Sequence, residues 1–172
     1  VWKSAKNRWL WLAVNLGTAF FASRVIGLFE HSIEKLVALA ALMPIVAAIA
    51  GNSGNQTVAL IVRALAFEEI NKSNAKGLLR KELSIALVNG VLWGSVAGTF
   101  AWLLYGNIAL GFVMLGAMLL NLIVGAGVGM LVPLFLQKMG RDPAIGSSVL
   151  LTFSTDSMGF LIFLGLATVF LV

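Results

Sequence analysis

The sequence contains no cysteine, which removes disulfides, thiolate metal sites and thiol nucleophiles from consideration. It has one histidine, His31, too few for a histidine-rich metal centre. Charge is scarce as well, at 11% of residues, against roughly a quarter in an ordinary soluble domain. Also missing are a nucleophile–base–orienter set, a phosphate-binding loop and a cofactor fingerprint, so an enzyme is not expected. What fills the 172 residues instead is apolar: 60% are hydrophobic. Glycine is abundant, at 18, and proline rare, at three, which suits close helix packing in lipid. The formal net charge of +5 sits beside apolar runs, a pattern of membrane topology rather than of nucleic-acid binding. No cleavable leader is expected, because the first apolar run is long enough to span and no small-residue cleavage pattern follows it.

A spanning helix needs roughly 20 mainly apolar residues. Five stretches qualify, at residues 9–29, 33–66, 83–105, 108–136 and 147–172. The sequence therefore predicts an all-α, multi-pass protein of the inner (plasma) membrane with five transmembrane helices. Its orientation follows from the cations. Lys3, Lys6 and Arg8 precede the first span. Arg63, Lys72, Lys76, Arg80 and Lys81 flank the second connection, and Lys138 and Arg141 lie in the fourth. These regions share one face, which places the N-terminus inside and the C-terminus outside. The second span would measure roughly 50 Å as one helix, against a hydrocarbon core of about 30 Å. It must tilt, break or project, and Pro44 and the Gly51–Asn55 run are the places where a break is expected. Gly90, Gly94 and Gly98, and then Asn121, Gly125 and Gly129, recur at four-residue spacing and read as surfaces for close helix approach. Residues 68–82 read as a short interfacial helix or linker.

Function in such a chain is sought where polar groups enter apolar spans. An ionisable side chain at the bilayer centre costs on the order of 2.5–3.5 kcal/mol on insertion scales. Asp156 is the clearest case. Ser148, Thr152, Thr155, Asp156 and Gly159 share one helical face, while Leu150, Leu151, Phe153 and Leu161 occupy the others. The functional reading is a pore wall with an acidic cation site. The competing one is a buried Asp that caps a broken helix or pairs with Arg24. In the second span, Gly51-Asn52-Ser53-Gly54-Asn55-Gln56-Thr57 offers amide and backbone oxygens. With a carboxylate, these hard ligands suit Mg²⁺, Ca²⁺ or Mn²⁺; alone, they suit interhelical hydrogen bonding equally well. Asp142-Pro143 is a good helix start, or else an acid at a pore mouth. Glu30 and Glu34 stand at the outer end of the first hairpin, either concentrating cations or simply solvated. Arg24 is expected to turn away from an ion path.

Taken in order, several stretches resemble the transmembrane domain of the MgtE-type magnesium channel and transporter family. They are Val25-Ile-Gly-Leu-Phe-Glu30, Glu34-Lys35 with Leu42-Met-Pro-Ile45, Gly51-Asn-Ser-Gly-Asn-Gln-Thr57, and Arg63-Ala-Leu-Ala66. Asn89-Gly90, Asp142-Pro-Ala144, and Thr155-Asp156 with Gly159-Phe160 follow. The resemblance covers essentially the whole chain. It implies a homodimer in the lipid bilayer, each subunit giving five helices, with one pore on the two-fold axis lined by the second and fifth. Asp156 would be the central cation ligand from both subunits, and Gly51, Asn52, Asn55, Ser148, Thr152 and Gly159 would line the path. Asp142 would lie near the cytoplasmic mouth, with Glu30 and Glu34 on the outer side. Mg²⁺ is the expected transported ion, with Mn²⁺ and Ca²⁺ as further candidates for the same site. Family members carry cytoplasmic regulatory domains, and none is expected in this chain. The function this implies is passive divalent-cation influx. The alternatives are a proton- or sodium-coupled exchanger and a non-transporting membrane sensor or assembly domain.

Overall fold

The computed structural model describes residues 1–71 and 73–172; Lys72, one of the cations used above for orientation, lies outside the described residues. The described residues form six helices: α1 (Trp2–Gly27), α2 (Glu30–Lys35), α3 (Ala38–Ala66), α4 (Ala75–Tyr105), α5 (Ile108–Lys138) and α6 (Pro143–Phe170). All but α2 are long and apolar enough to cross a membrane, so the fold is all-helical with five candidate spans. The helices exceed the apolar stretches at their polar ends. α1 takes in Lys3, Lys6 and Arg8, and the first two turns of α4 absorb residues 75–82, part of the stretch read as a short interfacial helix or linker.

Local chemistry sets the ends of these helices. Asn107 starts α5, its side chain accepting from the amides of Ala109 (3.0 Å) and Leu110 (3.3 Å). Gly106 ends α4 at φ 64°, a left-handed conformation that costs glycine little. Asp142 starts α6 by accepting from the Ala144 amide at 2.9 Å, with Pro143 in the first turn. The helix-start reading of Asp142-Pro143 is thus realised.

The expected break in the second span does not occur. α3 runs unbroken through Pro44 and through Gly51–Gly54, and the interruption falls earlier, at Leu36–Val37, where α2 ends. The glycines do not loosen the helix because neighbouring helices press on them. A Cβ on Gly54 would lie 2.7 Å from Leu151 Cδ1 and 3.1 Å from the Gly125 carbonyl oxygen. Pro44, for its part, stands on the exposed side of α3. There its missing N–H is one lost bond in a helix whose other face is buried from Leu39 to Ile61.

The most apolar helix, α5, is the hub, packed against α3, α4 and α6, while α1 rests on α6. Leu39, Leu42, Met43 and Val46 of α3 meet Met114 and Met118 of α5 and Phe163 and Leu164 of α6 in the main core. Both small-residue rows work as backbone contact surfaces. A Cβ on Gly94 would come within 3.1 Å of the Leu115 carbonyl oxygen on α5. On α5 itself, a Cβ on Gly125 would lie 2.8 Å from the Ala50 oxygen of α3, and one on Gly129 would lie 2.7 Å from the Gly54 oxygen. The large side chains left exposed, such as Leu12, Phe20, Val88, Phe100 and Phe112, coat the outside, as a lipid solvent favours.

Candidate functional site

Asp156 is half-buried on α6, in a helix otherwise dominated by apolar side chains. Three features hold the turn that carries it. The Thr155 hydroxyl, fully buried, donates back to the Leu151 carbonyl at 3.1 Å. Thr155 also faces α3, for a Cβ on Gly51 would touch its Oγ1 at 3.4 Å. Most telling is Asn121 of α5, which is completely buried. Its amide nitrogen donates to the main-chain oxygen of Val46 on α3 (3.2 Å) and to that of Thr155 on α6 (3.1 Å). One side chain thus ties together the two helices that carry the candidate site, one residue short of Asp156. The spare Asn121 Oδ1 has no partner among the described residues.

The other sequence-predicted residues distribute as follows. Asn52 is exposed, and Asn55 and Gly51 are half-buried, on α3. Asn52 shares a cleft of about 300 Å³ with Ser53, Gln56 and, from α4, Asn89. Asn89 is an amide that sequence reasoning assigned no role, and only the approach of α4 to α3 puts it there. Ser148 and Thr152 line a different cleft, between α6 and α1. Gly159 is buried where α6 meets its neighbours: a Cβ there would lie 2.6 Å from Asn121 Nδ2 and 3.5 Å from the Ala47 Cα. Glu30 and Glu34 are exposed on α2. That short helix is fastened to the far end of α6 by a 2.6 Å hydrogen bond between the Ser32 and Thr168 hydroxyls. Asp142 is exposed, its carboxylate occupied in capping α6. Among the described residues, no three acidic or imidazole side chains converge. Asp156 is the one carboxylate within α6, and neither the cleft that holds Asn52 nor the one that holds Ser148 and Thr152 includes it.

Glu82 was missed by sequence reasoning, which placed it at the end of a short interfacial helix or linker and gave it no role. It is 7% exposed in α4 and accepts a 3.1 Å hydrogen bond from the buried Thr57 hydroxyl of α3. Thr57 closes the Gly51–Thr57 run, so this carboxylate holds that run from behind. The signal available in the sequence was an acid immediately before the apolar run at residues 83–105 and two turns before Asn89 on the same helix.

Five candidate spans, with a lone acid on a polar face of the last and an amide-rich run in the third helix, describe a polytopic membrane protein with polar groups inside its spans. The comparisons narrow this. Residues 43–166 match the family model MgtE, described as a divalent cation transporter, and the chain belongs to that family. It is 34% identical over 98% of its length to the magnesium transporter MgtE of Bacillus subtilis. The magnesium transporter MgtE of Enterococcus faecalis is 31% identical over 98% of the chain. That of Thermus thermophilus is 30% identical over 94%. The chain spans a little over a third of these relatives, 36–37% of their length.

Proposed function

We propose that the chain is the conducting part of a divalent-cation transporter, with Mg²⁺ as its principal substrate, and that Asp156 is the central ligand. The observation that carries this reading is the placement of Asp156. It is a half-buried carboxylate inside an apolar helix, on a turn bonded through Asn121 to the helix bearing Asn52 and Asn55. A carboxylate at membrane depth is costly without a cation, a cavity or a partner. Since one chain supplies one such acid, a homodimer bringing two Asp156 carboxylates to a two-fold axis accounts for divalent charge. Two carboxylates brought together repel, and a divalent cation relieves that repulsion.

In this arrangement Asn52, Asn55, Ser148 and Thr152 present neutral oxygens to the path, and the Gly51 and Gly159 backbones support it from α3 and α6. Mg²⁺ surrenders its water reluctantly, so these oxygens read an ion that keeps several waters. Glu30 and Glu34 serve the outer end and Asp142 the cytoplasmic mouth, with the N-terminus inside and the C-terminus outside. The inside-negative potential of a plasma membrane drives influx: two charges gain about 4.6 kcal/mol per 100 mV, at about 2.3 for each. Mn²⁺ and Ca²⁺ are competing occupants of the same oxygen site.

The test is Mg²⁺ uptake into proteoliposomes at imposed potentials, comparing the native chain with Asp156→Asn. Potential-driven uptake that disappears in the variant is the expected result. Uptake that survives at the native rate overturns Asp156 as the ligand. Uptake that follows an imposed proton or sodium gradient instead of the potential identifies a coupled exchanger.

A further inference from the structure

α4 begins with cations that the candidate cation site does not use. Lys76, Arg80, Leu83 and Leu87 recur at three- and four-residue spacing, so they share one face of the helix. That face borders a cleft of about 490 Å³, with Ile123 on its α5 side. Glu82 and Asn89 belong to another face of α4, the one turned to Thr57 and Asn52 of α3. The cleft thus lies apart from the residues proposed for the cation path, on a helix that packs mainly on α5.

The charges in this cleft are of one sign. Lys76 and Arg80 are exposed, and among the described residues no acidic side chain lines the cleft. The first turn of α4 carries no acid either, although Lys76 stands where the helix macrodipole is already positive. An anion from outside relieves that repulsion. The Ser84 hydroxyl donates to the Arg80 carbonyl at 2.8 Å, so recognition falls to the two cations. Arg80 offers a phosphate its fork of N–H donors, and Lys76 a point charge. The length of the cleft decides which phosphate. From Lys76 to Leu87 the helix rises about 16 Å, at about 1.5 Å per residue, which is close to half of a hydrocarbon core of about 30 Å. The charged end stands just before the apolar run, and Leu83, Leu87 and Ile123 continue the cleft inward. Leu87 is 50% exposed, which leaves its side chain open to an acyl chain. Cations at headgroup level above an apolar wall one leaflet deep fit a phospholipid rather than a free phosphate ion, as basic pockets between spanning helices do.

We propose that the α4–α5 cleft binds one anionic phospholipid, its phosphate on Arg80 and Lys76 and an acyl chain along Leu83, Leu87 and Ile123. The inference does not rest on the transport reading. A lipid so placed fills the seam between α4 and α5 and steadies the start of the helix that carries Glu82.

The experiment uses the full chain in neutral detergent, where no membrane surface potential acts, with retained lipid counted by native mass spectrometry. Phosphatidylglycerol should be retained in preference to phosphatidylcholine. Arg80→Gln removes the forked, charge-assisted contact and should weaken that retention about tenfold or more. Arg80→Lys should recover part of it. Lys81→Gln is the control. It removes one charge from the adjacent residue, whose side chain lines a different hollow, and it should retain the lipid as the native chain does. If Arg80→Gln yields no folded protein, Lys76→Gln replaces it, with weakened retention again expected. Equal retention by native and cleft variants overturns the proposal. So does an equal loss in Lys81→Gln, which would mean diffuse charge. Displacement of the lipid by millimolar inorganic phosphate overturns it too, since the acyl chain would then contribute nothing.

Discussion

The glycine row of α5 provides a sharp perturbation with its own control on the same helix. A Cβ added to Gly129 would stand 2.7 Å from the Gly54 carbonyl oxygen and 3.1 Å from the Thr57 Cβ. Both neighbours belong to the α3 backbone or its immediate attachments, so neither can rotate aside. Ordinary contact begins at 3.4 Å, which asks α3 and α5 to separate by about 0.7 Å there. Overpacking of this kind costs about 1–3 kcal/mol. The separation also stretches the bonds that cross the same interface. The Val46 oxygen already stands 3.2 Å from the Asn121 amide, close to the limit of a useful hydrogen bond. Gly127, two residues away, has nothing within 4 Å of its would-be Cβ. Gly127→Ala should therefore be neutral or stabilising, by up to about 1 kcal/mol from reduced backbone entropy. The assay is reversible unfolding in mixed micelles, with Mg²⁺ flux measured on the same preparations. Gly129→Ala should lose about 1–3 kcal/mol and much of its flux, and Gly127→Ala neither. Equal stability in the two variants would refute the close approach of α3 and α5, and with it the positioning of α3 argued above.

Two further substitutions separate structural from conducting roles. Asn caps a helix about as well as Asp, so Asp142→Asn should unfold at the native midpoint, and any fall in Mg²⁺ uptake then measures its charge at the mouth. Glu82→Gln keeps an oxygen to accept from Thr57 and removes a buried charge, so chemical unfolding should show no loss of stability. Thr57→Val withdraws the donor and leaves the carboxylate stranded, which should cost about 1–3 kcal/mol; equal stability in those two variants would show that the pair does not hold α3.

The legible parts of the fold were those written in one helix at a time. Span number follows from apolar run length, the α6 start from Asp142-Pro143, and the α4 and α5 contact rows from glycine spacing. The continuity of α3 was not legible, because Pro44 and the glycine-rich run after it lower helix propensity while the compensating contacts come from Leu151 and Gly125, far away in the chain. The same holds at the site. Asp156 announces itself by the cost of a lone charge among apolar residues. Asn121 reads as one member of a packing row until the carbonyls of Val46 and Thr155 are seen on either side of it. Glu82 and Asn89 acquire meaning only once α4 is laid beside α3.

The Asn121 amide has a mechanical consequence. By gripping main-chain oxygens rather than side chains, it leaves α3 and α6 no freedom to twist or slide past each other without first losing a hydrogen bond inside a dry interior. The three helices α3, α5 and α6 thus behave as a single lever. Separating α3 from α6 beside Asp156 therefore requires breaking the Asn121 bonds to the Val46 and Thr155 oxygens.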